Sequence, residues 1–199
     1  MANDEKLLCP RDEKANYEIR NQGVVVEYLA DFVQNERTRI TEGAVTEIHR
    51  LTIQDIYPCA GNFRDALTRV EITDTEHQPS HASMVRIDVQ DMLSWLYDGD
   101  GKARSPIERA AYVMWRTNAI HPFNGGNGRV ARALAYLVMV SEVAPVFAGD
   151  PLPAILKRRK AEYVAGLKAA DVGSLKPLEN LVLDCFQQQI ASIGTQTRH

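Results

Sequence analysis

The chain has 199 residues, 45% hydrophobic and 25% charged, enough for one domain with a proper core. Its formal net charge of −3 gives no global argument for a nucleic-acid partner, and no apolar run is long enough to span a bilayer. Cys9, Cys59 and Cys185 lie far apart without a CxxC, which argues against a disulfide framework or structural zinc; with no secretory leader at residues 1–6, a cytoplasmic protein is expected.

Residues 1–14 are charged and without period, and read as a flexible N-terminal arm. From Tyr17 the spacing predicts a helix with Ile19, Val26, Leu29, Phe32 and Val33 on one face, its start weakened by Gly23. Residues 38–43 read on local grounds as a helix end with Gly43 as C-cap. Helix resumes over 44–57 and stops at Pro58 and Gly61; His49 within it reads as a packed or surface histidine. Residues 68–73 alternate at period two and predict a strand in a small hairpin with residues 76–81. His77 and His81 are no metal pair, because Pro79 forbids the helix that an i,i+4 pair needs.

An amphipathic helix follows over 88–98, ended by a segment at 98–101 that lacks the closing glutamate of a calcium loop. Ser105-Pro106 starts another helix, with Glu108 near the N-cap and Ile107, Ala111, Met114 and Trp115 apolar. Residues 130–140 are apolar nearly all round, which places that helix at the domain centre. A loop over 145–153 leads to a helix at 155–170, whose basic run at 157–160 reads as a solvated face. A last helix spans 178–193, and 194–199 form a tail; one domain over 15–193 is expected.

Between the two most apolar helices stands His121-Pro-Phe-Asn-Gly-Gly-Asn-Gly-Arg-Val-Ala-Arg132. Gly125, Gly126 and Gly128 free the backbone to turn successive N–H groups into one concavity at a helix N-terminus, where an anion such as phosphate is favoured. Arg129 and Arg132, three apart, can both face that anion, and His121 stands at the entrance as a candidate general base. A P-loop kinase is excluded, since no Gly-x-x-x-x-Gly-Lys-(Ser/Thr) is present.

This stretch resembles the signature of the Fic (Fido) family, His-x-Phe-x-(Asp/Glu)-Gly-Asn-Gly-Arg-x-x-Arg, through His121, Phe123, Gly126, Asn127, Gly128, Arg129 and Arg132. Residues 47–64, ending in Tyr57-Pro-Cys-Ala-Gly-Asn-Phe-Arg64, and residues 163–173 are also similar to family blocks, so the resemblance covers about residues 38–185. It implies a mainly α helical bundle with a β-hairpin flap, divided into an N-terminal helix and inhibitory segment (15–43) and a core (44–185). The implied activity is protein adenylyltransfer: His121 takes the proton of a Ser, Thr or Tyr hydroxyl on a target protein as that hydroxyl attacks the α-phosphate of ATP. Asn124, Gly125, Gly126, Asn127, Gly128, Arg129 and Arg132 would hold the nucleotide phosphates. Thr38, Glu42 and Gly43 match the family's inhibitory motif, which implies that Glu42 pairs with Arg132 and blocks the γ-phosphate. Val70, Glu71, Ile72, His77 and Pro79 fall in the flap that docks the target by strand addition.

One position departs from the signature. Gly125 stands where the family carries the acid that coordinates Mg²⁺, and the neutral Asn124 is a poor replacement, so Mg²⁺ is weakly supported and no metal ligand is assigned. Three readings stay open beside the transferase: impaired activity, a different phosphate-containing donor, or a nucleotide-binding regulator or interaction module with little chemistry. Neither the target nor the oligomeric state is legible.

Overall fold

Apolar residues at helical spacing build eight α-helices and two short 3-10 turns, and no strand, among the residues described in this computed structural model (7–35, 39–65 and 77–196). The helices are α1 (Lys14–Gln34), α2 (Glu42–Ile53), α3 (Val85–Tyr97), α4 (Pro106–Ile120), α5 (Asn127–Glu142), α6 (Leu152–Arg158), α7 (Lys160–Asp171) and α8 (Lys176–Gln196). The mainly α architecture is as expected; the strand over 68–73 and the flap residues Val70, Glu71 and Ile72 lie outside the described residues, as does Thr38. No described helix is long and apolar enough to cross a membrane.

α5 is the axis. Its residues from Val130 to Val140 are almost all buried, because a helix apolar on every side can satisfy itself only inside the domain. Each fully buried leucine there, Leu134 and Leu137 among them, contributes about 1.5–3 kcal/mol. α4 lies along α5, α1 and α2 cover one flank, and α8 ties α4, α6 and α7 together. α4 begins at a capping box: the Ser105 hydroxyl accepts the Glu108 N–H (3.3 Å), and the Glu108 carboxylate accepts the Ser105 N–H (2.9 Å).

Several boundaries differ from expectation for identifiable reasons. α1 starts at Lys14 and buries Asn21, Val25, Leu29 and Phe32, whereas Ile19 is 68% exposed. Asn21 earns its place inside by donating to the Gln54 carbonyl (2.9 Å) just past the end of α2. Within the N-terminal segment, expected to be a flexible arm, Leu8 and Cys9 are anchored: the Leu8 N–H donates to the Ile56 carbonyl (3.0 Å), and Cys9 is buried. The segment before Ala44 starts a helix rather than ending one, with Thr41 as N-cap accepting the Ala44 N–H (3.2 Å) and Gly43 in the first turn. The helix expected over 155–170 is two helices, divided at Arg159 (φ −88°, ψ 38°), whose guanidinium reaches Asp184 on α8 at 3.6 Å and Glu162 on α7.

Candidate active site

The turn between α4 and α5 is braced from inside. Phe123 is fully buried and stacks on His49 of α2, ring centroids 3.7 Å apart at 12°. The His49 Nδ1 accepts the Gly61 N–H (3.0 Å), so its Nε2 carries the proton and donates to the Gly125 carbonyl (3.1 Å). Burial pushes the His49 pKa down to about 4, against a smaller upward pull from the Gly125 carbonyl, and keeps that tautomer neutral. Gly126 takes the left-handed conformation (φ 78°) and is the N-cap of α5, with no side-chain cap; of the three loop glycines it alone has positive φ.

The side chain of Asn127, for which a phosphate-binding role is implied, bonds the loop's own backbone. It is buried, with its Oδ1 accepting the Phe123 N–H (2.9 Å) and its Nδ2 donating to the Phe123 carbonyl (2.8 Å). Both ends of the amide staple the loop to itself.

His121 occupies the residue after α4 in a left-handed conformation (φ 53°, ψ 59°), a strained geometry for a residue with a side chain. Arg64 holds it there. The Arg64 Nε donates to the His121 carbonyl (2.7 Å), its Nη2 to the carbonyls of Ile120 (3.3 Å) and Ser80, and its N–H to the Pro122 carbonyl (2.9 Å). The His121 Nδ1 is buried without a hydrogen-bond partner among the described residues. Burial depresses the imidazole pKa to about 4; a backbone interaction with Asn118 opposes this, and Arg64 and His77 add to it. The ring is therefore neutral at neutral pH and able to accept a proton. His77 packs close by, linked to the Ala119 carbonyl (3.0 Å) and 3.6 Å from Asp171, which also accepts from Trp115 (2.8 Å). His81 caps the turn at Ala82–Met84 instead.

Both signature arginines sit in the first turns of α5. Arg132 is largely desolvated, which lowers its pKa; its guanidinium lies 5.7 Å from the Tyr163 ring, and its buried Nε has no hydrogen-bond acceptor among the described residues. Arg129 meets Glu18 of α1 at 3.3 Å, a charge contact that leaves its Nη1 without a hydrogen bond. The expected pairing of Glu42 with Arg132 is corrected: Glu42 opens α2 and binds Arg86 and, at 3.1 Å, Gln90, both on α3. Because Thr41 caps that helix, Glu42 is committed to its first turn and points to α3. The glutamate that meets a signature arginine is Glu18, for which the sequence held no signal. Behind the two arginines a cavity of about 390 Å³ opens between α1 and the loop before α6, lined by Val25, Val26, Ala133, Phe147 and Pro151.

These features agree with the comparisons. The profile of the Fic/DOC family matches residues 39–139, which take in α2 to α4, the whole loop and most of α5. The chain is 34% identical over 152 residues to the protein adenylyltransferase fic-1 of Caenorhabditis briggsae, covering 75% of this chain and 28% of that protein. It is 27% identical over 175 residues to the protein adenylyltransferase Fic of Drosophila persimilis, covering 87% and 32%. A solved structure of Fic-1 from Caenorhabditis elegans superposes with a TM-score of 0.71 at 27% identity, covering 92% of this chain and 52% of that one. The chain thus spans about a third or less of the length of these curated relatives. It belongs to the Fic/DOC family.

Proposed function

We propose that this domain transfers the adenylyl group of ATP to a Ser, Thr or Tyr hydroxyl of a target protein. The supporting observation is the juxtaposition of a neutral imidazole at His121 with an uncapped helix start and two guanidiniums, Arg132 largely desolvated with its Nε lacking an acceptor among the described residues and Arg129 held only by a charge contact with Glu18. The relatives' name, protein adenylyltransferase, is consistent with this chemistry.

In the proposed reaction the hydroxyl oxygen attacks the α-phosphorus and the bond to the β-phosphate breaks. Pyrophosphate leaves, and the hydroxyl proton passes to His121. The amides opening α5 stabilise charge on the phosphoryl oxygens, while Arg129 and Arg132 hold the rest of the chain. A bound triphosphate brings negative charge to an imidazole whose pKa burial has lowered, raising its basicity when substrate arrives. His77, linked to the Ala119 carbonyl at the end of α4, and Pro79 two residues on form the inner edge of the target seat. Buried thiols at Cys9 and Cys185 suit a reducing compartment, the cytoplasm.

Intact-mass measurement of the domain and a candidate target after incubation with ATP tests the reading, with the gain of one adenylyl group expected. His121→Ala is expected to lower transfer by about 10²–10⁴-fold with nucleotide affinity nearly unchanged. Nucleotide binding with no mass gain on any target would favour the second reading, a nucleotide-binding regulator, for which the glycine at 125 speaks.

A further inference from the structure

Resting on that nucleotide reading, we infer that the cradle holds its polyphosphate without a divalent metal, its two arginines supplying the charge that a metal would otherwise bring. The residues present do not fit Mg²⁺. Position 125 has no side chain, and a Cβ built there would meet nothing within 4 Å, so no other group is packed into the place of the missing carboxylate. Its main-chain oxygen is turned inward to the His49 Nε2 at 3.1 Å. The side-chain oxygen of Asn127 is likewise committed, to the Phe123 N–H at 2.9 Å. The carboxylate that the fold does bring to the cradle, Glu18, faces Arg129 at 3.3 Å. Asn124 brings no charge, and no cluster of three His, Cys, Asp or Glu side chains occurs among the described residues.

Charge on the other side of the balance is ample. Arg132 is largely desolvated with its Nε lacking an acceptor among the described residues, Arg129 adds a second guanidinium whose Nη1 makes only a 3.3 Å charge contact with Glu18, and the N-terminus of α5 adds its dipole. Mg²⁺ demands several hard oxygen ligands in octahedral order, typically with a carboxylate among them, and it neutralises two of the charges for which guanidiniums compete. At a site built this way, complexing the phosphates with Mg²⁺ removes attraction and returns no protein ligand.

The test is calorimetric titration of ATP into the wild-type domain and Gly125→Asp, each in EDTA and in excess Mg²⁺. The open space at position 125 and its ordinary φ make the aspartate compatible with the fold, and a melting curve checks this. Wild type is expected to bind ATP in EDTA as tightly as with Mg²⁺ or more tightly, whereas Gly125→Asp is expected to gain about tenfold or more on adding Mg²⁺. A wild type that tightens tenfold with Mg²⁺ overturns the inference and leaves the nucleotide reading standing. So does an aspartate variant that stays indifferent to Mg²⁺, since position 125 would then not be the missing ligand. Failure to bind ATP under either condition overturns both.

Discussion

The first turns of α2 and α5 pose the same electrostatic problem and receive opposite treatment. α2 is closed by its own residues: the Thr41 hydroxyl takes an amide, and Glu42 supplies the negative charge that the helix dipole favours. α5 begins at Gly126 with no side-chain cap and no acid in its first turn, and it adds two arginines. A helix start that is finished at α2 is left unfinished at α5, as the proposed polyphosphate site requires. Among the described residues, the carboxylate that meets an arginine in the first turns of α5 comes from α1, through Glu18.

Closing α5 in the manner of α2 should break this contrast most strongly. An ideal Cβ at Gly128 lies 3.3 Å from the Arg132 Nη1, so Gly128→Asp places a carboxylate on the very cation that a phosphate needs. Nucleotide affinity is expected to fall by about tenfold to a hundredfold, measured by titration, with the melting temperature held or raised.

A second test exploits the brace that α2 extends to α5. The folded-state pKa of His49, about 4, lies below its ordinary 6.5, so the fold favours the neutral ring. Stability is full above about pH 6.5 and is lost as pH falls toward 4, by up to about 3 kcal/mol from this one group. His49→Gln should flatten the pH dependence of unfolding across that window by one proton, as read from denaturant midpoints at a series of pH values. His121 titrates over the same range and remains in both proteins, so the difference isolates His49.

The smallest effect concerns the borrowed carboxylate. Glu18→Gln removes the charge contact with Arg129, which is partly solvent-exposed and weak, so ATP affinity should rise by about twofold to fivefold. Unchanged affinity would mean that Glu18 does not compete with the phosphates.

What the sequence revealed, and what it hid, follows from how far apart the interacting residues lie. The loop was legible because its chemistry is local: His121, Gly126, Arg129 and Arg132 fall within three helical turns, and the apolar run after them announced a central helix. His49 and Arg64 were not assigned to the site because their partners, the carbonyls of Gly125 and His121, lie 76 and 57 positions away. A faint signal for His49 existed, a polar residue on the stripe formed by Val45, Ile48 and Thr52. Asn127 shows a different limit. An amide can serve a phosphate or its own backbone, and spacing does not say which. Glu42 misled because Thr38, Glu42 and Gly43 fit a motif, while Thr41 ahead of Ala44 and Val45 fits a helix start equally well, and the fold uses the latter.

Arg64 commits its Nε and Nη2 to three main-chain oxygens, so its first task is to hold backbone, although it stands within a residue's length of the chemistry. A mutational scan ranked by lost turnover would score it alongside His121 and tempt an observer to draw it touching phosphate. Its loss would instead loosen the left-handed backbone under the imidazole and release the segment at Ser80 at the same stroke, so two apparently separate defects, in the proposed transfer and in the proposed target seat, would share one origin.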